Sequence, residues 1–328
     1  MRILFLTDTH IRGTTPKNRK DNLPITLMGK LREVMGMIDE YDIDFLLHGG
    51  DLFDRPDISI AIVNEFASIL NEIEIPIYII SGNHDIYGHN PTTINRSMLG
   101  LLGSLNIVNV IDQHDTIILD KGGIKVQLTG HPYIYNIDDE KNRNYYIIDD
   151  VPDDIDYAIH MVHGMLLNRP FIEGIPYTLI DDIKTTRADI TLSGHYHSGF
   201  GIIDIGGKYF VNPGSLIRVT NSIAEINRMP QVALIELGES IDIRLMGLKT
   251  AHKGEEVLDR QEIENHTFKT EKLLEFRRVI GESGGFEKLE INEILMEISS
   301  MEGIEDRVKE EALRRIAISQ GKNLGDEL

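Results

Sequence analysis

RILFLTDTH, Arg2 to His10, is an apolar run that ends on a carboxylate and an imidazole two residues apart. A continuous apolar run is what a strand covered on both faces looks like. The pattern recurs twice, in DFLLHGGD (Asp44–Asp51) and PIYIISGNHD (Pro76–Asp85). Between the first two runs, Leu27, Leu31, Val34, Met35 and Ile38 fall at helical spacing, which predicts a helix over Leu27–Glu40. Between the next two, Ser59–Leu70 reads as a helix with Ser59 as its N-cap. A βαβαβ series predicts parallel strands with helices packed on the sheet. Ligands of open α/β sheets bind beyond the carboxyl ends of the strands. Asp8 and His10, Asp51 and Asp54, and Asn83 to Asp85 are therefore expected on one edge of the sheet.

The chain has 328 residues, which suits one large α/β domain plus an appendage. With 41% hydrophobic and 26% charged residues it can bury an ordinary core. No apolar run approaches the ~20 residues that span a bilayer. ILFL (Ile3–Leu6) is too short for the apolar part of a secretory signal, and an acidic residue follows at once. With no cysteine there is no disulfide framework and no thiolate metal site, in keeping with a reducing cytoplasm, the expected location. A net charge of −20 argues against a sequence-independent DNA coat, although ions and local basic patches can offset repulsion in a DNA enzyme. Against that charge, Arg12, Lys17, Arg19 and Lys20 lie within nine residues just after His10.

From about Asn106 the strands shorten: TIILD, IKVQLTG, YAIHMVHG and DITLSGHYH, then FGIID, KYFVNPG, QVALIEL and IDIRLMGL. They predict a second sheet packed on the first, an αββα sandwich of two mixed sheets flanked by helices. Asn136–Asp156 carries eight Asp or Glu and reads as a solvated loop. After Leu248 no strand is evident, and helical patterns run over Glu271–Ile280, Ile291–Met301 and Ile304–Gln320. The expected organisation is a core over 1–248 and a linker with a helical appendage over 249–328.

Five strand-end clusters carry the chemistry: DTH (Asp8, His10), GDLFD (Asp51, Asp54), GNHD (Asn83, His84, Asp85), HG (His163) and GHYH (His195, His197). Each is weak alone; the ordered set is not. Oxygen and nitrogen donors without thiolate suit Mn²⁺, Fe²⁺ or Zn²⁺. Residues two apart on a strand or its extension point to the same side, so Asp8 and His10 can grip one ion. Seven donors exceed the need of one ion, and a bridging Asp51 would satisfy two, the layout for in-line attack on phosphorus. His48, His131 and His160 read as structural. Asp54 reads as a residue behind the ligands or a loop cap.

The series D-x-H, G-D-x-x-D, G-N-H-D, H-G, G-H-x-H resembles the calcineurin-like metallophosphoesterase superfamily over Asp8–His197. The resemblance implies one divalent ion on Asp8, His10, Asp51 and His197, and a second on Asp51, Asn83, His163 and His195, with Mn favoured. It implies that His84 contacts phosphate and protonates the leaving oxygen while Asp85 orients its imidazole. The H-x-R-G-x-x-P-x-x-R-x-D run from His10 to Asp21 is similar to SbcD-like DNA-repair exonucleases and to phage recombination endonucleases. That branch implies a DNA nuclease whose C-terminal helices, here KLEINEILMEIS and GIEDRVKEEALRRIAISQG, dock an SbcC-like coiled-coil ATPase, and homodimers are common in it. Arg12, Lys17, Arg19 and Lys20 would then track a DNA backbone, and Arg218, in the turn NPGSLIR, would reach phosphate from the rim. The alternatives are a small-molecule or cyclic-nucleotide phosphodiesterase, and a metal-stabilised scaffold for the ATPase.

Overall fold

The computed structural model describes residues 1–172 and 174–260. The helices expected beyond Glu271 lie outside the described residues. Strands and helices are numbered in chain order. The first sheet has the order β14 (Ile241–Gly247), β13 (Gln231–Leu237), β1 (Arg2–Leu6), β2 (Phe45–His48), β3 (Ile77–Ile79), β4 (Asn109–Val110). The second has the order β11 (Gly201–Ile205), β12 (Lys208–Asn212), β10 (Ile190–His195), β7 (Tyr157–Gly164), β6 (Ile124–His131), β5 (Thr116–Lys121). A two-stranded ribbon, β8 (Leu166–Leu167) with β9 (Thr178–Leu179), follows β7. In each large sheet four parallel strands carry antiparallel neighbours at one or both edges, so both sheets are mixed.

β1 shows why its run is apolar throughout. Ile3 and Phe5 face the second sheet, where they pack with Leu47, Leu128, Met161, Leu192 and Val211. Leu4 and Leu6 face the other way, onto helices α1 (Leu23–Glu40) and α2 (Ile60–Asn71) through Leu27, Leu31, Val63 and Phe66. Period-two alternation thus sends half of each central strand into each of two cores. α1 starts four residues before its apolar pattern. Asn22 caps it, its side chain accepting from the Ile25 amide at 3.3 Å, and Pro24 fits the first turn. Ser59 stands at the N-cap of α2 with extended backbone but makes no side-chain cap bond.

Two sequence expectations change. QVALIEL and IDIRLMGL do not extend the second sheet: they are β13 and β14, and they return to the first, β13 pairing antiparallel with β1 and β14 with β13. Asn136–Asp156 is not simply solvated. Tyr146, in a 3-10 turn over Glu140–Tyr146, is fully buried against Ile137, Val162 and Phe210 on the outer face of the second sheet. Its hydroxyl donates to Asp138 at 2.5 Å.

Beyond β14 the amides of Lys249 and Thr250 donate to the Glu33 carboxylate on α1, at 2.6 and 2.8 Å. A short helix over Gly254–Val257 follows, and the Lys20 amide donates to the Val257 carbonyl at 2.9 Å. Residues Met1–Arg260 form one compact unit. Among the described residues no helix is long and apolar enough to cross a membrane.

The inter-sheet core should dominate stability. Leu47→Ala, at a fully buried position of β2, is expected to cost about 2–5 kcal/mol. Ile118→Ala, on the half-exposed edge strand β5, should stay within about 0.5 kcal/mol. Urea unfolding of the two variants measures the contrast.

Candidate metal centre

The C-terminal ends of β1, β2, β3, β7 and β10 meet at one edge of the sandwich, and their polar residues form connected groups. Asp8, His10, Asp51 and His197 each offer a donor atom within 4.8 Å of the others, and so do Asp51, His163 and His195. Asp51 belongs to both groups. Asn83 joins the second, its Oδ1 lying 3.3 Å from His163 Nε2. His10, Asp54 and His84 form a third group beside the first.

His163 and His195 still lie on their strands, but most of the backbone that delivers these side chains lies just past a strand end. Asp8, His10, Asp51 and His195 all have positive φ, at 53°, 44°, 54° and 72°. Asp and His enter this left-handed region more readily than most residues, though the conformation still costs stability. Asp8 and His10 therefore share a site through two tight turns rather than through strand alternation. The turns are held across the sheet, with the Asp8 amide on the Gly50 carbonyl at 3.0 Å and the His10 amide on the Asp51 carbonyl at 3.0 Å. Gly82 passes so close that a Cβ there would overlap the Asp51 carboxylate.

Bonds between the two sheets fix the donors. The His195 amide donates to both oxygens of Asp8 at 3.2 Å, and the Thr7 hydroxyl donates to Asp8 Oδ2 at 2.7 Å. His163 Nδ1 lies 2.8 Å from the Gly49 carbonyl. A carbonyl can only accept, so a proton sits on His163 Nδ1 and Nε2 is the nitrogen that faces Asp51. Asp51 Oδ1 accepts the His84 amide at 2.8 Å.

Asp51 Oδ2 is different. It is buried and has no hydrogen-bond partner, with His163 Nε2 at 3.4 Å and His10 Nε2 at 3.7 Å. An anionic oxygen stripped of water and of donors is costly unless a cation meets it. The donor spacings fit a cation. Two ligand bonds of about 2.1 Å meeting at about 90–109° put their donors about 3.0–3.4 Å apart. His10 and His197 Nε2 are 3.1 Å apart, and Asp8 Oδ1 is 3.5 Å from His197 Nε2. These residues could hold two ions sharing Asp51.

Ionisation agrees with that use at two of the imidazoles. Burial pushes the His10 imidazole down to about 3, against the pull of Asp51. Burial, then the His163 charge, pushes His195 down to about 4. Both are neutral at physiological pH, the state in which a ring nitrogen ligates. His163 differs: burial opposes its charge, but the Asp51 carboxylate outweighs it and raises His163 to about 9, so Nε2 carries a proton that a cation on Asp51 would have to displace. Asp8 and Asp51 are held below the usual carboxylate range: burial works against this, but the His197 contacts at Asp8 and the His163 charge at Asp51 prevail.

His84 and Asp85 part company. His84 Nδ1 lies 2.8 Å from the Asp54 main-chain carbonyl, which fixes its proton on Nδ1. Asp85, fully buried, accepts the amides of Leu52 at 3.2 Å, Phe53 at 3.0 Å and Gly82 at 2.9 Å. It ties the Asp51 loop to the Asn83 loop. The expectation that Asp85 orients the His84 ring is corrected: a carboxylate committed to three amides leaves that task to the Asp54 carbonyl.

The cations divide too. Lys17 and Lys20 are exposed, and Arg12 is half-buried and pairs with Asp54 at 3.2 Å. Arg19 and Arg218 do not face a ligand, which corrects their expected role. The Arg19 fork holds both oxygens of Asp21 at 2.8 Å, so the R-x-D of the sequence motif is an internal pair. The Arg218 side chain turns inward onto the carbonyls of Glu225, Arg228 and His252 at 2.8–2.9 Å. His48, His131 and His160 bond to Thr9, the Pro132 carbonyl, and Thr129 with the Tyr145 carbonyl. Sequence reasoning missed Tyr133, whose ring centroid lies 5.5 Å from that of His195. It follows β6, so the strand-end rule that found the candidate donors could have found it.

A sandwich of two mixed sheets with acidic and imidazole donors at one strand-end edge is a layout suited to metal-dependent hydrolysis of phosphate esters. A family model described as calcineurin-like phosphoesterase matches residues 1–199, and the chain belongs to that family. The family binds two divalent metals. The double-strand break repair protein MRE11 of Encephalitozoon cuniculi is 24% identical, the match covering 76% of this chain and 48% of that protein. The chain thus spans about half the length of that relative. Two solved structures are similar to it. One is GAP50, the anchor in the inner membrane complex of Plasmodium, with 12% identity, 77% of this chain and 88% of that one covered, and a TM-score of 0.48. The other is a dimetal phosphatase from Danio rerio, with 10% identity, 77% and 98% covered, and a TM-score of 0.47.

Two carboxylates test the reassignment. Asp85→Asn replaces an acceptor of three amides with a group that is half donor, and is expected to cost about 2–3 kcal/mol in urea unfolding. Asp54→Asn keeps the carbonyl that holds His84 and loses only a surface-side pair with Arg12, so it should cost under about 1 kcal/mol.

Proposed function

We propose that the chain is a DNA nuclease, the phosphodiester-cleaving subunit of an SbcD-type repair or recombination complex. The observation that carries the hydrolytic part is the partnerless, buried Asp51 Oδ2 between imidazoles of two donor groups. The similarity to a double-strand break repair protein supports DNA as the substrate. Asp8, His10, Asp51 and His197 hold one ion; Asp51, Asn83, His163 and His195 hold the other. A donor set of oxygen and nitrogen without thiolate suits Mn²⁺, Fe²⁺ or Zn²⁺, and the resemblance to SbcD-like nucleases favours Mn²⁺ among them. The chemistry such a pair supplies is polarisation of the phosphoryl oxygens and activation of water for in-line attack.

The chain's own groups do the rest. His84, its Nδ1 proton locked on the Asp54 carbonyl, presents Nε2 to the phosphate; as the imidazolium it gives the Nε2 proton to the leaving oxygen and is left as the Nδ1–H tautomer. Its ring stands edge-on to His10, with centroids 4.8 Å apart, beside the first donor group. Exposed Lys17 and Lys20, together with half-buried Arg12, run along the DNA backbone and add affinity without reading bases. The segment beyond Arg260 is the part we assign to a coiled-coil ATPase partner.

Purified protein with Mn²⁺ is expected to cleave linear DNA and bis(p-nitrophenyl) phosphate, and chelator should abolish both. His84→Ala should lower kcat by about 10²–10⁴-fold and leave Mn²⁺ binding by calorimetry unchanged. Lys17→Ala with Lys20→Ala should weaken DNA cleavage and spare the small ester. Turnover of cyclic nucleotides far above that of DNA would replace the nuclease reading with a small-molecule phosphodiesterase.

A further inference from the structure

Pro213–Arg218, the stretch after β12, has no helix or strand, yet every residue in it is buried. Buried backbone groups must find partners, and without a ladder they must find side chains. Here four successive carbonyls are capped by basic side chains. Arg228 donates to the Ser215 carbonyl at 2.6 Å and to the Ile217 carbonyl at 2.9 Å. Lys30 Nζ, from the middle of α1, donates to the Leu216 carbonyl at 2.8 Å. Arg19 Nη1, from the loop after His10, donates to the Arg218 carbonyl at 2.7 Å. The arrangement is braced in turn, Arg228 by Glu225 at 2.9 Å and Arg19 by Asp21 at 2.8 Å.

The amide side of the same stretch points at the metal centre. The Ser215 amide donates to the His197 carbonyl at 2.9 Å, and the Leu216 amide donates to the Thr7 carbonyl at 3.1 Å. Gly214, with φ of 82°, lies so close that a Cβ would sit 2.8 Å from the His197 carbonyl. Thr7 immediately precedes Asp8. The two anchors are thus one member of the Asp8–His10–Asp51–His197 group and the chain neighbour of another. The loops of Asn83 and His163 are fixed differently, through Asp85 and through the Gly49 carbonyl.

We propose that Lys30, Arg228 and Arg19 are positioning residues for the first ion alone. By capping the carbonyls of residues 215–218 they hold the opposite amides against His197 and Thr7, and so set the separation of Asp8 from His197. The proposal rests on the two-ion reading of the site and adds an asymmetry to it. Lys30 is an expensive choice for a purely structural contact. Burial, and then the charges of Arg218, Arg19 and Arg228, push its ammonium down to about 7. The hydrogen bond it makes is to Leu216. A residue that only filled space there could be apolar.

The test is Mn²⁺ titration calorimetry on the full chain, well below the melting temperature, with wild type, Lys30→Met, Arg228→Lys and Leu27→Ala. Leu27 is a fully buried residue on the same helix with no bond to the 213–218 stretch, and serves as the stability control. Wild type should bind two ions. Lys30→Met and Arg228→Lys should each weaken one binding event about 10–100-fold and leave the other unchanged, the range expected for partners behind a ligand. Leu27→Ala should lower the melting temperature and leave both events intact. Unchanged titrations in both basic-residue variants, or equal weakening of both ions, would overturn the proposal. So would a Leu27→Ala profile matching theirs. If Lys30→Met fails to fold, Arg228→Lys, which keeps the charge and loses the fork, decides alone. Wild type that binds no ion would instead overturn the two-ion reading.

Discussion

A buried carboxylate with one oxygen left open is the constraint around which this sandwich is organised. Asp51 cannot be charged in a dry interior without compensation. Its Oδ1 is answered by the His84 amide, and its Oδ2 faces two imidazoles and no donor. Everything near it serves that imbalance. The strand end of β2 gives way to glycines so that the chain can turn into it. Gly82 yields the space that a side chain would take. Asp85, beneath it, spends its acceptors on the amides of both flanking loops rather than on a second cationic contact. Around Asp51, burial keeps His10 and His195 neutral, while the Gly49 carbonyl turns His163 so that its Nε2 faces the carboxylate.

The two sheets are joined at this edge by polar bonds as well as by the apolar layer between them. Asp8, from the first sheet, receives the amide of His195 from the second. His163, from the second, donates to Gly49 in the first. The apolar layer specifies that the sheets face one another. The polar bonds specify where along their length they are pinned, which is a question of ångströms and the one that matters for ligand geometry. The basic residues after His10 fit the same picture. The charge that looked out of place in an acidic chain is partly internal mortar: Arg19 closes onto Asp21 and onto the stretch behind the ligands, and only its neighbours Lys17 and Lys20 are left at the surface.

Much of this was legible in the sequence because two simple periodicities were clean. Apolar runs such as RILFLT and DFLLH end abruptly in polar residues, and strand ends in α/β sheets converge, so Asp8, His10, Asp51, Asn83, His163, His195 and His197 could be grouped without coordinates. What was not legible depended on backbone conformation and on distant partners. Nothing in the letters D-T-H says that both flanking residues turn left-handed. Asp85 next to His84 invites a side-chain contact, but the carboxylate is taken by amides from a loop more than thirty residues away. Arg218 and Arg19 look like surface cations until the carbonyls they cap are seen. The return of β13 and β14 to the first sheet is a matter of topology that short strands of similar composition do not encode locally.

The left-handed turns at Asp8, His10, Asp51 and His195 also bear on how such a chain would lose its function. Each of these positions is filtered twice, once for its donor atom and once for its backbone. Release the first filter and the second remains: β-branched residues resist this conformation, while Asn and Gly accept it. A descendant relieved of catalysis would therefore not drift at random there. It would slide toward Asn or Gly and keep its turns, its sheet edge and its sandwich, a fold preserved around a centre that no longer binds ions. The backbone would outlast the chemistry it was bent to serve.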